Sequence, residues 1–451
     1  MLFSSLEFLY FFLPVAVGIY FLCPKRLKNL WLFLISLFFY AFGEPVYVLL
    51  MLFTVLSNYL FGIATERMQR HRRGILILAL CFNISLLAIF KYYDFFASLF
   101  SLPNLGLPLP IGISFYTFQA LSYVIDVYRG DVKAEKSLIS FGAYVSLFPQ
   151  LIAGPIVRYS DVSRELSDRR HSAEGAAEGI SRFCSGLSKK VLLANSAGAL
   201  YETLSKKGDL LSMSAAVFFF AMQIYYDFSG YSDMGIGLGR ILGFRFPENF
   251  DYPYISRSIT EFWRRWHITL SSWFREYVYI PLGGNRKGRL RTYVNLFIVW
   301  SLTGLWHGAA VNFILWGIYF FIILVLEKAF LLRLLGRIPL PLRHLYAIIL
   351  ILVGWLIFSA DGLDISEAAR VLSSISLYSG STAYTLLRQL PFSLIILLGV
   401  TPIPKKLFER VCFRMPSFGL ALRNILSVLS LILCTAYLAS DGYNPFLYFR
   451  F

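Results

Sequence analysis

The chain of 451 residues is 57% hydrophobic and 15% charged, whereas soluble domains carry about 25% charged residues. So few charged side chains cannot cover the several soluble domains that this length suggests, and the composition also excludes a disordered or coiled-coil chain. The 42 Lys and Arg outnumber the 26 Asp and Glu and give a net charge of +16, which in a membrane protein is typical of basic cytoplasmic loops rather than of nucleic-acid binding. The composition predicts an all-α, polytopic integral membrane protein with no nucleic-acid partner.

Apolar runs that could form membrane-spanning helices recur along the whole chain. No basic residue precedes the first run, residues 6–22, so we interpret it as a retained span rather than a cleaved signal peptide. The run 138–156 contains Pro149 and Pro155 and is expected to be re-entrant. We expect about eleven spans, with re-entrant and interfacial helices, in a single domain over residues 1–451. The remaining runs lie near residues 29–42, 46–64, 74–97, 111–128, 184–204, 211–228, 292–308, 310–332, 345–360, 386–401 and 420–440.

Basic residues between these runs predict which loops face the cytoplasm. Lys and Arg residues at 25–28 precede the second run, and further arginines at 67–73 follow the third. The stretch 98–110 has no charged residue and is expected outside, whereas the basic stretch 402–416 is expected inside. The charge distribution therefore fits a multi-pass membrane protein.

The sequence contains no recognisable metal or nucleotide motif. The glycine-rich stretch 235–243 follows no strand, so it predicts close helix packing rather than a dinucleotide site. The cysteines are scattered and predict neither a disulfide framework nor a metal site; they are Cys23, Cys81, Cys184, Cys412 and Cys434.

The largest polar stretch, residues 245–291, holds nine Arg and Lys and four Asp and Glu and is rich in aromatic residues. Its segment 259–277 fits an amphipathic helix, with an aromatic face opposite a cationic stripe. Two interpretations remain open, because this helix is either an interfacial anchor or part of a functional site. The stripe consists of Arg264, His267, Ser271 and Arg275, and the aromatic face of Phe262, Trp266, Leu270, Trp273 and Tyr277.

His307 lies at the end of an apolar run, between Gly304 and Gly308, which leave room for close approach of backbone or ligand. An ionisable residue at such a place is a candidate functional residue, although a hydrogen-bonded structural role is also open. A histidine beside a hydroxyl and an activated acyl group can serve as a general base near neutral pH. Acyl transfer is therefore possible, but these residue types alone do not single it out.

The remaining polar candidates have plain structural alternatives. Asp227 and Asp233, in QIYYDFSGYSDMG, either line a cavity or belong to a buried hydrogen-bond network that holds helices together. His71 and His171 lie in polar loops, and His344 is expected at the membrane interface.

Motifs along most of the chain, in order, resemble the membrane-bound O-acyltransferase (MBOAT) family, and within it the bacterial alginate O-acetylation branch. They are FKYYDFF (90–96), FYTFQALSYVIDVYRG (115–130), FPQLIAGPIVRY (148–159), QIYYDFSGYSDMGIGLGRILGF (223–244), NFDYPYISRSITEFWRRWHITLSSWFREYVYIPLGGNR (249–286), LTGLWHGAAVNFILWG (302–317) and PFLYFRF (445–451).

The resemblance implies a ring of tilted helices around a central funnel, in a bacterial inner membrane and in contact with its lipids. His307 matches the family's principal histidine and would be the catalytic base, and His267 matches the second histidine of this branch, which could stabilise the oxyanion. Acetyl-CoA would be the cytoplasmic acyl donor, and the enzyme would hold no resident cofactor or metal. The acceptor would be a cell-surface or exported polysaccharide, which the acetyl group would reach through an SGNH-like acetyltransferase. The expected donor-binding residues are Arg264, Arg265 and Arg275, and the expected cavity-lining residues are Asp227, Asp233, Trp306 and Asn312.

Other functions stay open on the sequence. Within the family, the chain could instead transfer D-alanine to teichoic acid from a carrier-protein thioester. Outside it, histidines and aspartates in a helix bundle could form the proton relay of a transporter, although no inverted repeat is visible. A non-catalytic scaffold is a further alternative.

Overall fold

The computed structural model describes residues 2–152, 154–360, 376–441 and 445–447. Within these ranges it consists of helices and connecting loops with no strand, which confirms the all-α prediction. Contacts divide the chain into two compact units. The first comprises Met1–Leu187, Tyr231–Glu248 and Leu438–Arg450, and the second mainly Ser188–Gly230 and Asn249–Tyr437. The single domain and the ring around a funnel stay predictions.

The first unit is built around aromatic side chains and one almost wholly buried helix. Phe3, Phe8 and Phe39 pack against one another with ring centroids less than 6 Å apart. The helix Ile113–Arg129 buries nearly every residue, since neighbouring helices cover all its faces. The helices, including π-helical and 3-10 turns, are Phe8–Phe12, Leu13–Leu22, Lys25–Leu27, Lys28–Gly43, Tyr47–Arg67, Arg72–Leu87, Ala88–Tyr92, Tyr93–Leu99, Ile113–Arg129, Leu138–Ser146, Tyr159–Ser167 and Ala173–Ser188.

The long helix Leu210–Ile241 begins in the second unit and ends in the first. Its glycine-rich end, residues 235–243, packs closely as predicted: a Cβ on Gly235 would lie 2.5 Å from the Pro149 carbonyl oxygen, and one on Gly237 would lie 2.6 Å from that of Gly179. Small residues thus let backbones approach within the first unit.

The second unit carries most of the polar stretch 245–291 and the apolar helices that follow it. Its remaining helices are Lys189–Ala194, Asn195–Ser205, Pro253–Ile255, Ile259–Arg265, Ile268–Phe274, Arg275–Tyr279, Arg289–His307, Val311–Leu326, Glu327–Leu331, Leu332–Leu335, Leu340–Ser359, Gly380–Arg388, Leu390–Gly399, Ile403–Arg414 and Pro416–Asp441.

Six helices among the described residues are long and apolar enough to cross a membrane, and a pair bent by 57° makes a seventh if it forms one span. This confirms a multi-pass membrane protein, although fewer helices pass than the roughly eleven expected from apolar runs. The difference arises because some runs fold into shorter helices: Lys28–Gly43 has 16 residues and Leu138–Ser146 has nine, followed by buried turns. The six helices are Tyr47–Arg67, Arg72–Leu99, Leu210–Ile241, Val311–Leu335, Leu340–Ser359 and Pro416–Ser440.

Candidate active site

A cleft of about 1020 Å³ lies within the second unit, and both His267 and His307 line it. Its walls come from the two short helices between Ile259 and Phe274, the loop at residues 283–287, and the helix Arg289–His307. The cleft thus brings together two histidines that are 40 positions apart in the sequence. Its volume is at the upper end of the range of small-molecule sites, about 300–1,000 Å³.

The charged side chains that line the cleft are all cationic, and no Asp or Glu is among its described lining residues. These cations are Arg264, Arg275, Arg286, Lys287 and Lys328. A concave surface with one sign of charge and low-dielectric walls raises the local concentration of oppositely charged ligands. The cleft is therefore suited to an anionic molecule.

The continuous helix predicted over 259–277 is wrong, because the chain breaks at Trp266 and His267. One helix ends at Arg265 and the next begins at Ile268, and His267 has a φ of 43° in the left-handed region. Ser258 caps the first helix by accepting a hydrogen bond from the amide of Glu261. The predicted cationic stripe nevertheless survives the break, since Arg264, His267, Ser271 and Arg275 all line the cleft.

Asn249 fixes the orientation and tautomer of the His267 ring. Its Oδ1 accepts hydrogen bonds from the amide and the hydroxyl of Thr269, at 3.3 and 2.9 Å, and lies 3.0 Å from Nδ1 of His267. A backbone N–H can only donate, so the Asn249 atom is the oxygen and Nδ1 of His267 must carry the proton. Nε2, which has no hydrogen-bond partner among the described residues, therefore carries the lone pair of the neutral ring.

The surroundings of His267 keep the imidazole neutral. Only 1% of the residue is exposed, and burial lowers the pKa of His267 well below its usual range. Positive charge on the nearby His307 lowers that pKa further. A neutral ring protonated at Nδ1 accepts hydrogen bonds at Nε2 but cannot donate there, so this tautomer does not suit the expected role of His267 as an oxyanion donor.

His307 is the last residue of the helix Arg289–His307 and is surrounded by aromatic rings. Its ring centroid lies 5.0 Å from those of Trp306 and Trp316, and 5.3 Å from that of Phe358. Trp306 also lies 5.8 Å from His267, so one indole contacts both histidines. Trp306, Trp316 and Phe358 thus form an aromatic wall around the His307 ring.

Two close helix contacts set the position of His307. Gly304 and Gly317 face each other between the helices Arg289–His307 and Val311–Leu326, and a Cβ on Gly304 would lie 2.4 Å from the Phe313 carbonyl oxygen. The expected room beside Gly304 is thus filled by backbone, and that beside Gly308 by the Phe313 ring. These glycines serve helix packing.

The buried carboxylate of Glu327 anchors the start of the helix Ile259–Arg265. Its two oxygens accept hydrogen bonds from the amides of Ile259 and Thr260, both at 2.7 Å, and from the Thr260 hydroxyl. A negative charge at a helix N-terminus is stabilising. Glu327 and Asn249 thus both position the segment that carries His267, and neither was singled out from the sequence.

The other predicted site residues are not among the described residues that line the cleft. Arg265 is paired with Asp251 and Glu261. Asp227 forms a buried ion pair with Lys190, at 2.6 Å. Asp233 belongs to the first unit and pairs with Arg182 at 2.8 Å. Trp306 contacts both histidines, and the buried Asn312 donates a hydrogen bond to the Phe358 carbonyl oxygen.

Remaining histidines have ordinary surroundings. His71 is exposed. His171 lies 2.9 Å from the Tyr20 hydroxyl in the first unit, and Nδ1 of His344 lies 3.2 Å from the Ser256 carbonyl oxygen in the second. No group of three or more metal-ligating side chains occurs among the described residues.

A multi-pass membrane protein with two histidines in a cationic cleft fits the class of membrane enzymes that transfer a group from an anionic donor. The sequence model of MBOAT, the membrane-bound O-acyltransferase family, matches residues 132–363, which include both histidines and about half of the chain. The chain belongs to this family, and it is an O-acyltransferase.

Curated relatives agree with this assignment. The chain is 43% identical over 384 residues to the probable alginate O-acetylase AlgI of Pseudomonas aeruginosa, covering 81% of this chain and 73% of that protein. It is 35% identical over 421 residues to the peptidoglycan O-acetyltransferase of Helicobacter pylori, covering 83% and 80%. The similarity to the teichoic acid D-alanyltransferase of Bacillus subtilis is 29% over 226 residues, covering 46% and 56%.

Proposed function

We propose that this enzyme moves an acetyl group from cytoplasmic acetyl-CoA across the membrane for the O-acetylation of a cell-surface or exported polysaccharide. The observation that carries the proposal is the cleft, in which two histidines share one space with five cations. The two O-acetylating relatives support acetyl as the acyl group, since they cover more than four fifths of this chain. A bacterial inner membrane is consistent with these relatives.

The donor assignment follows from charge. CoA carries several phosphate charges, and the cleft offers cations that form no ion pair among the described residues, in place of the mixed charges of an ordinary surface. Arg264 and Arg275 are the proposed contacts from the predicted set. Arg265 is already neutralised by two carboxylates, so its proposed role is to hold its own helix rather than to bind the donor.

In the proposed mechanism, His307 removes the proton from an acceptor hydroxyl as its oxygen attacks the thioester carbonyl. The carbon–sulfur bond then breaks, the CoA thiolate leaves, and the imidazolium returns its proton to that sulfur. Since that hydroxyl has one proton and gives it to His307, the neutral His267, held by Asn249, is proposed to orient a second polar group of the substrates through Nε2. The aromatic wall around His307 limits competing hydrolysis.

We also propose that the acceptor is reached through a separate extracytoplasmic acetyltransferase of the SGNH type, as the resemblance to the alginate O-acetylation branch implies. The enzyme would then acetylate a hydroxyl of this second acetyltransferase, which would pass the acetyl group on to the polysaccharide. Family membership decides against the transporter and scaffold alternatives. D-alanyl transfer to teichoic acid is the weaker candidate, since the teichoic acid D-alanyltransferases align with less than half of this chain.

Replacing His307 with Ala tests the proposed base in cells. We expect His307→Ala to abolish ester-linked acetate on surface polysaccharide, measured after mild alkaline release, because no proton acceptor then activates the hydroxyl. His71→Ala, at an exposed loop position, is the matched control and should retain full acetylation. Immunoblotting must show equal protein levels, and retained acetylation by His307→Ala would contradict the assignment.

A further inference from the structure

The loop at residues 283–288, Gly-Gly-Asn-Arg-Lys-Gly, carries two of the five cleft cations and has a preset backbone. Gly283, Gly284 and Gly288 have φ angles of 105°, 56° and 86°. These conformations cost little only for glycine. We name residues 283–288 the glycine loop; its first five residues line the cleft.

A buried side chain fastens the glycine loop from behind. Asn295 is fully buried, and its Nδ2 donates hydrogen bonds to the carbonyl oxygens of Gly284, at 2.9 Å, and Leu282. Arg291 donates a further hydrogen bond to the Leu282 carbonyl oxygen, at 3.2 Å. The loop therefore holds its shape before any ligand arrives, which lowers the entropy that binding must overcome.

Within the described part of the chain, the cations of the glycine loop have no acidic partner, unlike Arg265 beside the cleft. Arg286 and Lys287 are exposed, and among the described residues neither forms an ion pair, whereas Arg265 is bound by Asp251 and Glu261. Acidic side chains thus neutralise the arginine beside the cleft and leave the cleft cations available. Charge-assisted hydrogen bonds to phosphate are the strongest contacts that such side chains make.

We propose that the glycine loop binds the phosphates at the nucleotide end of a CoA thioester, through Arg286 and Lys287. This inference rests on the proposed function and adds the element that selects the donor. The thioester of CoA lies at the opposite end of its flexible pantetheine arm, so phosphate contacts at the loop leave the acyl group free to reach the histidines. A carrier-protein thioester has one phosphodiester charge and no nucleotide, so the loop favours free CoA.

Binding to the full-length protein in phosphatidylcholine nanodiscs tests this inference without an acceptor. Three probes are compared. CoA carries all of its phosphates, dephospho-CoA lacks the 3′-phosphate, and pantetheine lacks all phosphates. We expect the double variant Arg286→Gln with Lys287→Gln to bind CoA about a hundredfold more weakly, since each of the two lost contacts to a charged group removes about one tenfold factor. Binding of pantetheine should stay the same, because it does not reach the loop.

The double variant Arg70→Gln with Arg73→Gln is the matched control, since it removes the same charge from exposed positions outside the cleft. A control that weakens CoA binding as much, or a loop variant that weakens pantetheine equally, would overturn the inference. A loop effect seen only when phosphatidylglycerol is added would assign the loop to lipid headgroups and also overturn it. If the wild-type protein binds no CoA at all, the proposed donor fails along with the loop; if it binds CoA and the loop variant matches it, only the loop inference fails.

Discussion

His267 occupies a backbone conformation that few residues other than glycine adopt. Its φ is 43° and its ψ is 55°, at a position buried between two short helices. Such strain costs about 1–3 kcal/mol and persists only where surrounding contacts hold it. Here Asn249 supplies those contacts, because its side chain binds the ring of His267 and both polar groups of Thr269, and its carbonyl oxygen accepts the amide of Ile268.

Replacing Asn249 with Asp should change the pH dependence of the enzyme. A carboxylate beside Nδ1 favours the imidazolium, so it raises the pKa of His267 from its depressed value towards neutrality. In the wild type, His267 stays neutral as the pH falls through 6.5; in Asn249→Asp it gains a proton in that range and loses its lone pair at Nε2. We expect the acidic limb of the activity profile to move to higher pH, measured as the initial rate of acetyl transfer.

Asn104→Asp, in an exposed loop, makes the same chemical change away from the cleft and should leave the profile in place. Asn249→Asp should also recover most of its activity at high pH, where the ring is neutral again. A variant that loses activity equally at every pH would show that Asn249 only supports the fold, and would contradict its proposed role in setting the tautomer.

At the scale of elements, the closely packed helices Arg289–His307 and Val311–Leu326 hold His307 in place. A methyl group at Gly304 would meet the Phe313 carbonyl oxygen at 2.4 Å, and backbone cannot move aside as a flexible side chain does. We therefore expect Gly304→Ala to lower the thermal unfolding temperature and the yield of folded protein in detergent. Gly74→Ala, where nothing lies within 4 Å of the added atom, should be neutral or slightly stabilising.

The contrast between these two glycines is the control, because both lie inside helices and receive the same methyl group. If both variants unfolded at the same temperature, the helices Arg289–His307 and Val311–Leu326 would have to move apart readily to make room for the methyl group. The close contact at Gly304 would then have no role in placing the histidine.

The sequence predicted the polar segment that bears His267 but not its break. Aromatic and cationic residues continue at spacings of three and four through Trp266 and His267, so the periodicity gives no sign of the left-handed turn there. The turn depends on Asn249, 18 residues earlier, and on Glu327, some 60 residues later. Such contacts follow from tertiary packing, which a local pattern does not contain.

The spans illustrate the same division between pattern and packing. Long apolar runs with lipid-facing leucines, such as Tyr47–Arg67 with Leu49, Leu56 and Leu60 exposed, were predicted almost to their ends. The helix Ile113–Arg129 looks similar in sequence, yet it is nearly all buried within its unit. Hydropathy alone does not distinguish contact with lipid from contact with protein.

For the whole molecule, the positive charge noted from the composition has a place in the structure. The apolar helices account for a multi-pass membrane protein, and Lys and Arg between the apolar runs account for much of the excess charge. Five of the basic residues line the cleft that contains both histidines. Basic side chains that fit a cytoplasmic location are thus also suited to the proposed anionic donor.

The most direct test of the central claim is transfer from acetyl-CoA labelled in its acetyl group, using the full-length protein in liposomes. Alginate and peptidoglycan oligosaccharides, each with and without an SGNH-type acetyltransferase, are the acceptors. We predict base-labile label on one of them with the wild type, and none with His307→Ala, although that variant should bind acetyl-CoA as tightly. Equal transfer by both proteins would contradict the account, as would a parallel assay in which only a labelled D-alanyl carrier-protein thioester serves as donor.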